Sequence, residues 1–485
     1  MSSSGPSPLL PQELIDEIIS HLTDDKPTLH SFQYVSKACL ETVRYYALRK
    51  FTLRLRTNSS YEVFAGELTW QYAHLAKYIV DLTITGAHSY YPGGFKDITS
   101  LKSREDDDSW GPPTQLLSTH IMPDSLLKLL PRLASLTVSQ VWLVRGDVAK
   151  RVDMQTVDAP FHDSTPSMKV SLKKLALRTV TIWKPVDFTF ADILERFQCT
   201  ELGLERINRD GWHSEAYPAH VNTITLPAPV LQPTHLAIDD TMLRASYIEL
   251  LQRLTSSEKL ESLRLTDVGL VNEIRRLGLY LASAHSSLTH LDIFIWGIRY
   301  EGEDPWESLN LSAFTNLRHL SIKIPIIGSS TTKMGFIWKA FSDFLQYLPL
   351  NTITSIDIVL DPDNTFLGSD LGVLGRMPDQ VKHTLDGQFR RLLPVLERCE
   401  IIWMYQPGPA DFEDTYGVDP TYDPGRYLDD IQSLLPSLDQ AEVLRIRVVV
   451  VPSPEYPFYN DSNFSDDADR VLLYVDDESS QLSSD

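Results

Sequence analysis

Three stretches, Leu260-Glu261-Ser262-Leu263-Arg264-Leu265, Leu288-Thr289-His290-Leu291-Asp292-Ile293 and Leu317-Arg318-His319-Leu320-Ser321-Ile322, repeat one pattern: apolar, two variable, apolar, one variable, apolar. Leu133, Leu172 and Ile353 open further copies, and shorter ones stand at Leu82-x-Ile84, Leu202-x-Leu204, Leu236-x-Ile238, Cys399-x-x-Ile402-x-Met404 and Leu444-x-Ile446. The middle residues 236, 263, 291 and 320 are 27, 28 and 29 residues apart, room for one strand and one helix. The apolar alternation closing each copy is a strand pattern, with every second side chain inward. Several intervals carry helical stripes: Leu243, Tyr247, Leu250, Leu251 and Leu254; Ile274, Leu277 and Leu281; Ile337, Phe341, Phe344, Leu345 and Leu348. A strand–helix unit of this size cannot bury its apolar face alone and must stack on its neighbours, so the expected fold class is α/β, a curved solenoid.

The pattern resembles a degenerate leucine-rich-repeat horseshoe over about residues 70–450, with Val180, Val268, Trp296 and Pro325 in place of the Asn that follows the third apolar position in regular repeats. A doubly wound sheet would also alternate strands and helices, but no Gly-rich phosphate loop follows any strand. In the horseshoe register the variable strand residues line the concave face. Aromatic and Arg side chains are the usual anchors of interfaces, which makes Phe294, His319, Lys323, Trp403, Tyr405, Arg445 and Arg447 the candidate target-binding residues. The equivalent positions at Leu136 are only Ser135, Thr137 and Ser139, which makes that end the less promising one.

The N-terminal stretch Leu10-Pro11-Gln12-Glu13-Leu14-Ile15-Asp16-Glu17-Ile18-Ile19-Ser20-His21-Leu22 reads as a helix with Pro11 in its first turn and Glu13 near its positive end. Leu14, Ile15, Ile18, Ile19 and Leu22 are expected on one stripe, and the sets Leu29, Phe32, Val35 and Cys39, Leu40, Val43, Ala47 complete a three-helix unit. This order resembles the F-box-like domain at the N-terminus of many fungal proteins, over roughly residues 8–50. The resemblance implies docking onto the adaptor subunit of a cullin-type ubiquitin ligase through Leu10, Pro11, Leu14, Ile15, Ile18, Leu22, Leu29 and Val35, while the rest of the chain holds a target protein. Cys39 stands where many F-boxes carry Trp.

The expected organisation is a flexible N-terminus (1–7), the F-box-like unit (8–50), the repeat array (51–451) and an acidic, unpacked tail (452–485) with nine acids against Arg470. Long intervals at 87–119, 145–168, 300–308, 361–379 and 406–426 are expected to leave the array as loops. A net charge of −21 argues against general nucleic-acid binding, whose affinity comes from Lys and Arg. Cys39, Cys199 and Cys399 form no CxxC pair, which points to a reducing compartment, cytoplasmic or nuclear, and no basic n-region or long apolar run marks export or a membrane span. His290, Asp292 and His319 are the one cluster worth weighing for a metal, and a solvated face is the favoured reading; neither cofactor nor catalysis is expected.

Overall fold

A computed structural model of the chain describes residues 10–23, 25–55, 60–70, 73–86, 116–118, 126, 128–144, 169–182, 193–209, 231–239, 245–268, 271–295, 306–326, 331–362, 379–405, 432 and 435–450. Its strands, in chain order, are β1 (Lys50–Leu55), β2 (Asp81–Gly86), β3 (Leu116–Ser118), β4 (Ser135–Ser139), β5 (Trp142–Val144), β6 (Val170–Arg178), β7 (Thr181–Ile182), β8 (Phe197–Glu205), β9 (Asn208–Arg209), β10 (His235–Asp239), β11 (Ser262–Val268), β12 (His290–Ile295), β13 (His319–Ile326), β14 (Ser355–Pro362), β15 (Arg398–Tyr405) and β16 (Leu444–Val450). The helices are α1 (Gln12–Ser20), α2 (Lys26–Phe32), α3 (Lys37–Leu48), α4 (Ser60–Trp70), α5 (Ala73–Ala76), α6 (Ala245–Leu254), α7 (Val271–Leu281), α8 (Thr331–Gln346), α9 (Asp379–Leu392) and α10 (Pro436–Gln440).

Among the described residues, twelve strands form one sheet in the order β1-β2-β4-β6-β8-β10-β11-β12-β13-β14-β15-β16, and every pairing is parallel. The strand order never reverses, so the sheet has no switch point of the doubly wound kind. The repeat sets the register. Leu82, Leu136, Leu175, Leu202, Leu236, Leu263, Leu291, Leu320, Ile356 and Cys399 stand side by side, each 0–3% exposed. The row two residues on, from Ile84 to Ile401, is equally buried. Each such side chain is worth about 1.5–3 kcal/mol when removed from water. A lone strand could not hide them, and stacking does.

The face behind these rows differs along the sheet. The expected stripes at 274–281 and 337–348 form α7 and α8, and that at 243–254 forms α6 from Ala245 on, Leu243 lying outside the described residues; α9 and α10 join them. In the N-terminal half the return path is instead a second parallel sheet, β3-β5-β7-β9. The turn into it is a repeated device. Gln140, Thr179 and Arg206 follow β4, β6 and β8 with φ of 54°, 52° and 54°, and each precedes a buried aliphatic residue, Val141, Val180 or Ile207. Val180, at the position where regular repeats have Asn, is thus part of the core. The Gln140 N–H donates to the Arg178 carbonyl and the Thr179 N–H to that of Glu205, and at the last such corner the Asp239 carboxylate accepts from the Arg206 N–H.

Three sequence expectations are corrected. The strand at β15 pairs Cys399 with Ile356 and Ile401 with Ile358. Leu396 and Cys399, and not Cys399 and Ile402, therefore open that copy, and the inward residue is Ile401. A shift by an odd number of residues exchanges the two faces of a strand. Secondly, the interval 300–308 is not wholly a loop: Trp306 is fully buried, edge-on to Phe344 at 4.9 Å, beside a 3-10 turn at Glu307–Leu309. Thirdly, β1 is an additional strand of the array that lacks the leucine lead of the other copies. The expected loops at 145–168 and 406–426, most of those at 87–119 and 361–379, and the ends 1–7 and 452–485 lie outside the described residues. Among the described residues no helix is long and apolar enough to cross a membrane.

Candidate protein-interaction surfaces

The N-terminal helices have a core of their own, Ile19, Leu29, Cys39 and Val43, with Ile15, Leu22, Phe32 and Tyr46 packed around it. Local signals set the helix starts. The Asp25 carboxylate caps α2 by accepting from the Thr28 N–H (3.1 Å) and hydroxyl (2.6 Å), and these bonds, the hydroxyl's first, hold its pKa below the usual carboxylate range. Ser36 caps α3 through the Cys39 N–H at 3.2 Å. Gln12 donates to Asp16 at 2.7 Å along α1, and the Thr42 hydroxyl of α3 donates to the same carboxylate, which ties α1 to α3.

This core divides the apolar residues of α1. Ile15, Ile19 and Leu22 turn inward, whereas Leu10, Leu14 and Ile18 are 46%, 45% and 44% exposed. The single stripe expected from spacing is two faces, one holding the bundle and one open. Pro11 is exposed at the start of α1, and Tyr34 and Val35, in the turn after α2, are 76% and 68% exposed. Of the eight residues assigned to adaptor docking, Leu10, Pro11, Leu14, Ile18 and Val35 are at the surface, Ile15 and Leu22 are shared with the core, and Leu29 is buried and acts by holding α2 in place. Cys39 faces the core.

The helical unit meets the sheet through α3. The Tyr78 hydroxyl donates to the Glu41 carboxylate and Lys77 lies 3.5 Å from it, and the tyrosine bond chiefly holds the Glu41 pKa below its usual value. Phe51 of β1 stacks on Phe64 of α4 at 5.6 Å. The first strand of the sheet is thereby covered.

The second surface is the outward face of the large sheet, whose rows follow from the register. One runs Lys50, Asp81, Ser135, Lys174, Glu201, His235, Ser262, His290, His319, Ser355, Arg398. The next outward row runs Thr52, Thr83, Thr137, Ala176, Gly203, Ala237 and then Arg264, Asp292, Ser321, Asp357, Glu400, Arg445. Small side chains flanked by long ones make a trough in the N-terminal half, an open groove of about 480 Å³ over β1, β2, β4, β6 and β8. Lys50, Lys174 and Asp81 line it with no ion pair among the described residues, whereas Lys173 pairs with Glu201 at 3.4 Å. The outward row here, Thr52, Thr83, Thr137, Ala176, Gly203 and Ala237, carries only short side chains, which on sequence alone mark the less promising end.

In the C-terminal half the outward charges are spent on one another. Arg264 pairs with Asp292 at 3.1 Å, Arg398 bridges Asp357 (2.9 Å) and Glu400 (2.5 Å), and Arg447 reaches Glu400 at 2.9 Å. Lys323 lies over the Phe294 ring at 5.0 Å. Arg445 is exposed. Trp403 and Tyr405 have the register phase of buried Cys399 and Ile401, and their side chains lie outside the described ones, so they are not carried into this surface.

His290 and His319 stack face to face at 4.4 Å with an 18° tilt. Ring lone pairs lie in the ring planes, so stacked imidazoles do not converge on one ion, and Asp292 is engaged by Arg264. Among the described residues no group of three or more His, Cys, Asp or Glu is placed to hold a metal. The Thr289 hydroxyl donates to the Glu261 carbonyl at 3.0 Å, so its 2.7 Å contact with His290 Nδ1 requires Nδ1 to carry the proton. Burial, then the neighbouring His319 and His235, pull the His290 pKa below its ordinary value. Cys199 and Cys399 are buried thiols whose pKa values burial pushes up, that of Cys199 to about 12, which makes them inert structural residues. No family model matches the chain, and no curated protein matches it.

Proposed function

We propose that the chain is a non-catalytic substrate receptor of a cullin-type ubiquitin ligase, with the three-helix unit as an F-box-like adaptor-docking module and the parallel array as a leucine-rich-repeat-like solenoid that holds a target protein. The observation that carries this reading is the division of α1: after the bundle core and the contact with the sheet have taken their residues, Leu10, Leu14 and Ile18 remain in water. These are residues on which the F-box resemblance rests, and uncovered apolar side chains in a row are the chemistry of a helix waiting for a partner. Catalysis in such a complex is by proximity, the receptor holding target lysines near a charged conjugating enzyme.

The second reading is a scaffold outside any ligase, with the helical unit acting as an end cap. The Glu41 contacts with Tyr78 and Lys77 favour it. A cap, however, has no use for the opposite face of α1. On the target side, the N-terminal groove, whose Lys50, Lys174 and Asp81 form no ion pair among the described residues, now joins His319, Lys323, Arg445 and Arg447 as a contact surface. Affinity purification of the tagged full chain from cell extract distinguishes the two: adaptor and cullin co-purify with a receptor, and neither does with a scaffold.

A further inference from the structure

Taking the array as the surface that holds the target, we infer that the groove over β1, β2, β4, β6 and β8 receives an extended acidic segment of that target, laid across the strands with two carboxylates four residues apart. Short side chains, Thr52, Thr83, Thr137, Ala176 and Gly203, make the floor, and Lys50, Asp81, Ser135, Lys174 and Glu201 stand beside them in register. Glu201 is taken by Lys173 at 3.4 Å, while Lys50, Asp81 and Lys174 form no ion pair among the described residues. Sites for small molecules enclose their ligand in mostly apolar walls, whereas this groove is open and lined mainly by hydroxyls and charges. It has the form of a trough for a length of chain. Lysines that alternate with acids, in a chain of net charge −21, make no track for a phosphate backbone.

The register sets the spacing of the charges. Adjacent strands lie about 4.7–4.9 Å apart, so Lys50 of β1 and Lys174 of β6, three steps along the row, are about 14 Å apart at the backbone. An extended chain rises about 3.3 Å per residue, so four residues cover about 13 Å, and positions i, i+2 and i+4 face the same way. A segment lying along the floor therefore brings carboxylates at i and i+4 to Lys50 and Lys174. Position i+2 falls between Asp81 and Ser135, which suits a basic side chain. The hydroxyls of Thr52, Thr83 and Thr137 can each donate and accept, and so serve the backbone of the segment. Lysines at both ends with an acid between them select an order of charges as well as a sign, which is how complementary charges confer specificity.

The test is an array of immobilised synthetic peptides, probed with the full chain, in which the spacing between two Glu is varied and Lys, Ser or Ala stands between them. Capture should peak at Glu-x-Lys-x-Glu. It should fall about tenfold or more for Lys50→Glu/Lys174→Glu, and likewise for Thr137→Trp, which fills the floor and leaves the charges alone. The inverted chain Lys50→Glu/Asp81→Lys/Lys174→Glu should instead capture Lys-x-Glu-x-Lys, a gain that an unfolded chain would not show. No capture at any spacing, capture that follows the number of acids whatever their spacing, or equal capture by wild-type and inverted chains overturns the proposal. So does capture seen only once residues 452–485 are removed, which would assign the groove to the chain's own acidic tail, or self-association abolished by the lysine changes, which would assign it to a second copy. The assay contains no adaptor. Adaptor binding without the Glu-x-Lys-x-Glu preference thus discards the acidic segment alone, and the preference without adaptor binding discards the ligase reading alone.

Discussion

At the residue scale, small polar groups stitch one strand to the next. Thr200, within β8, and Thr234, Thr289 and Thr354, each just before a strand, donate a hydroxyl to a carbonyl of the preceding repeat, Lys173, Thr200, Glu261 and Arg318 respectively, at 2.9–3.4 Å. Thr234 and Thr289 each neighbour a histidine that contacts their hydroxyl. For His290 this environment sets a pH dependence. Its folded pKa lies below the unfolded value of about 6.5, so the unfolded chain binds more protons and stability falls as pH drops through that value. His290→Asn, which keeps a donor toward Thr289, should lose less melting temperature than the wild type between about pH 7.5 and about pH 5.5; an equal loss would show that other groups govern the response. Buried Asp386 acts where a helix lacks its own cap. It accepts from the Ser437 N–H (2.9 Å) and hydroxyl (2.7 Å) at the start of α10 and pairs with Arg390 at 3.1 Å. Asp386→Ala strands these groups and should cost about 2–4 kcal/mol in urea unfolding, with Asp386→Asn costing less. Such partnerships were not legible in the sequence, because Asp386 and Ser437 are 51 residues apart.

At the element scale, period decided what could be read. The helices α6, α7 and α8 were legible because their apolar stripes repeat at 3.6 residues, and the strands because theirs repeat at two. β15 was misread by three residues because Cys399-Glu400-Ile401-Ile402 offers an apolar side chain in either phase and only contact with Ile356 and Ile358 chooses. In α1 the spacing identified the apolar residues and left open how they divide. The structure predicts that Ile19→Asp melts the helical unit, since an unpaired carboxylate at a fully buried site costs several kcal/mol, while Leu14→Asp with Ile18→Asp leaves its helical circular dichroism intact. In α7, Gly278 lies against the Ser308 backbone carbonyl, so a Cβ there would collide with it. Gly278→Ala gains up to about 1 kcal/mol in helix propensity. The collision involves backbone, which cannot swing aside, so the substitution should lower the melting temperature; a rise would mean that α7 and the 3-10 turn separate freely.

At the scale of the whole molecule, the twelve parallel strands found among the described residues are laid down in chain order and give a long outward face. The repeat made the order of strands legible, whereas the second sheet was not, since β5, β7 and β9 are two or three residues long and depend on the left-handed corners at Gln140, Thr179 and Arg206. The outward face also divides in a way composition conceals: bridged ion pairs around Arg398 and Glu400 occupy the C-terminal half, and a groove beside the Lys173–Glu201 pair marks the N-terminal half. The central claim, however, concerns the head, because a receptor is defined by what it brings its target to. Its most direct test is a calorimetric titration of the purified full chain with purified ligase adaptor, repeated with the Leu14→Asp/Ile18→Asp chain. The account predicts a one-to-one complex for the wild type, and a loss of at least about a hundredfold in affinity for the variant, the equivalent of about 2.7 kcal/mol from two apolar contacts. No heat of binding from the folded wild-type chain, or equal binding by the variant, would contradict it.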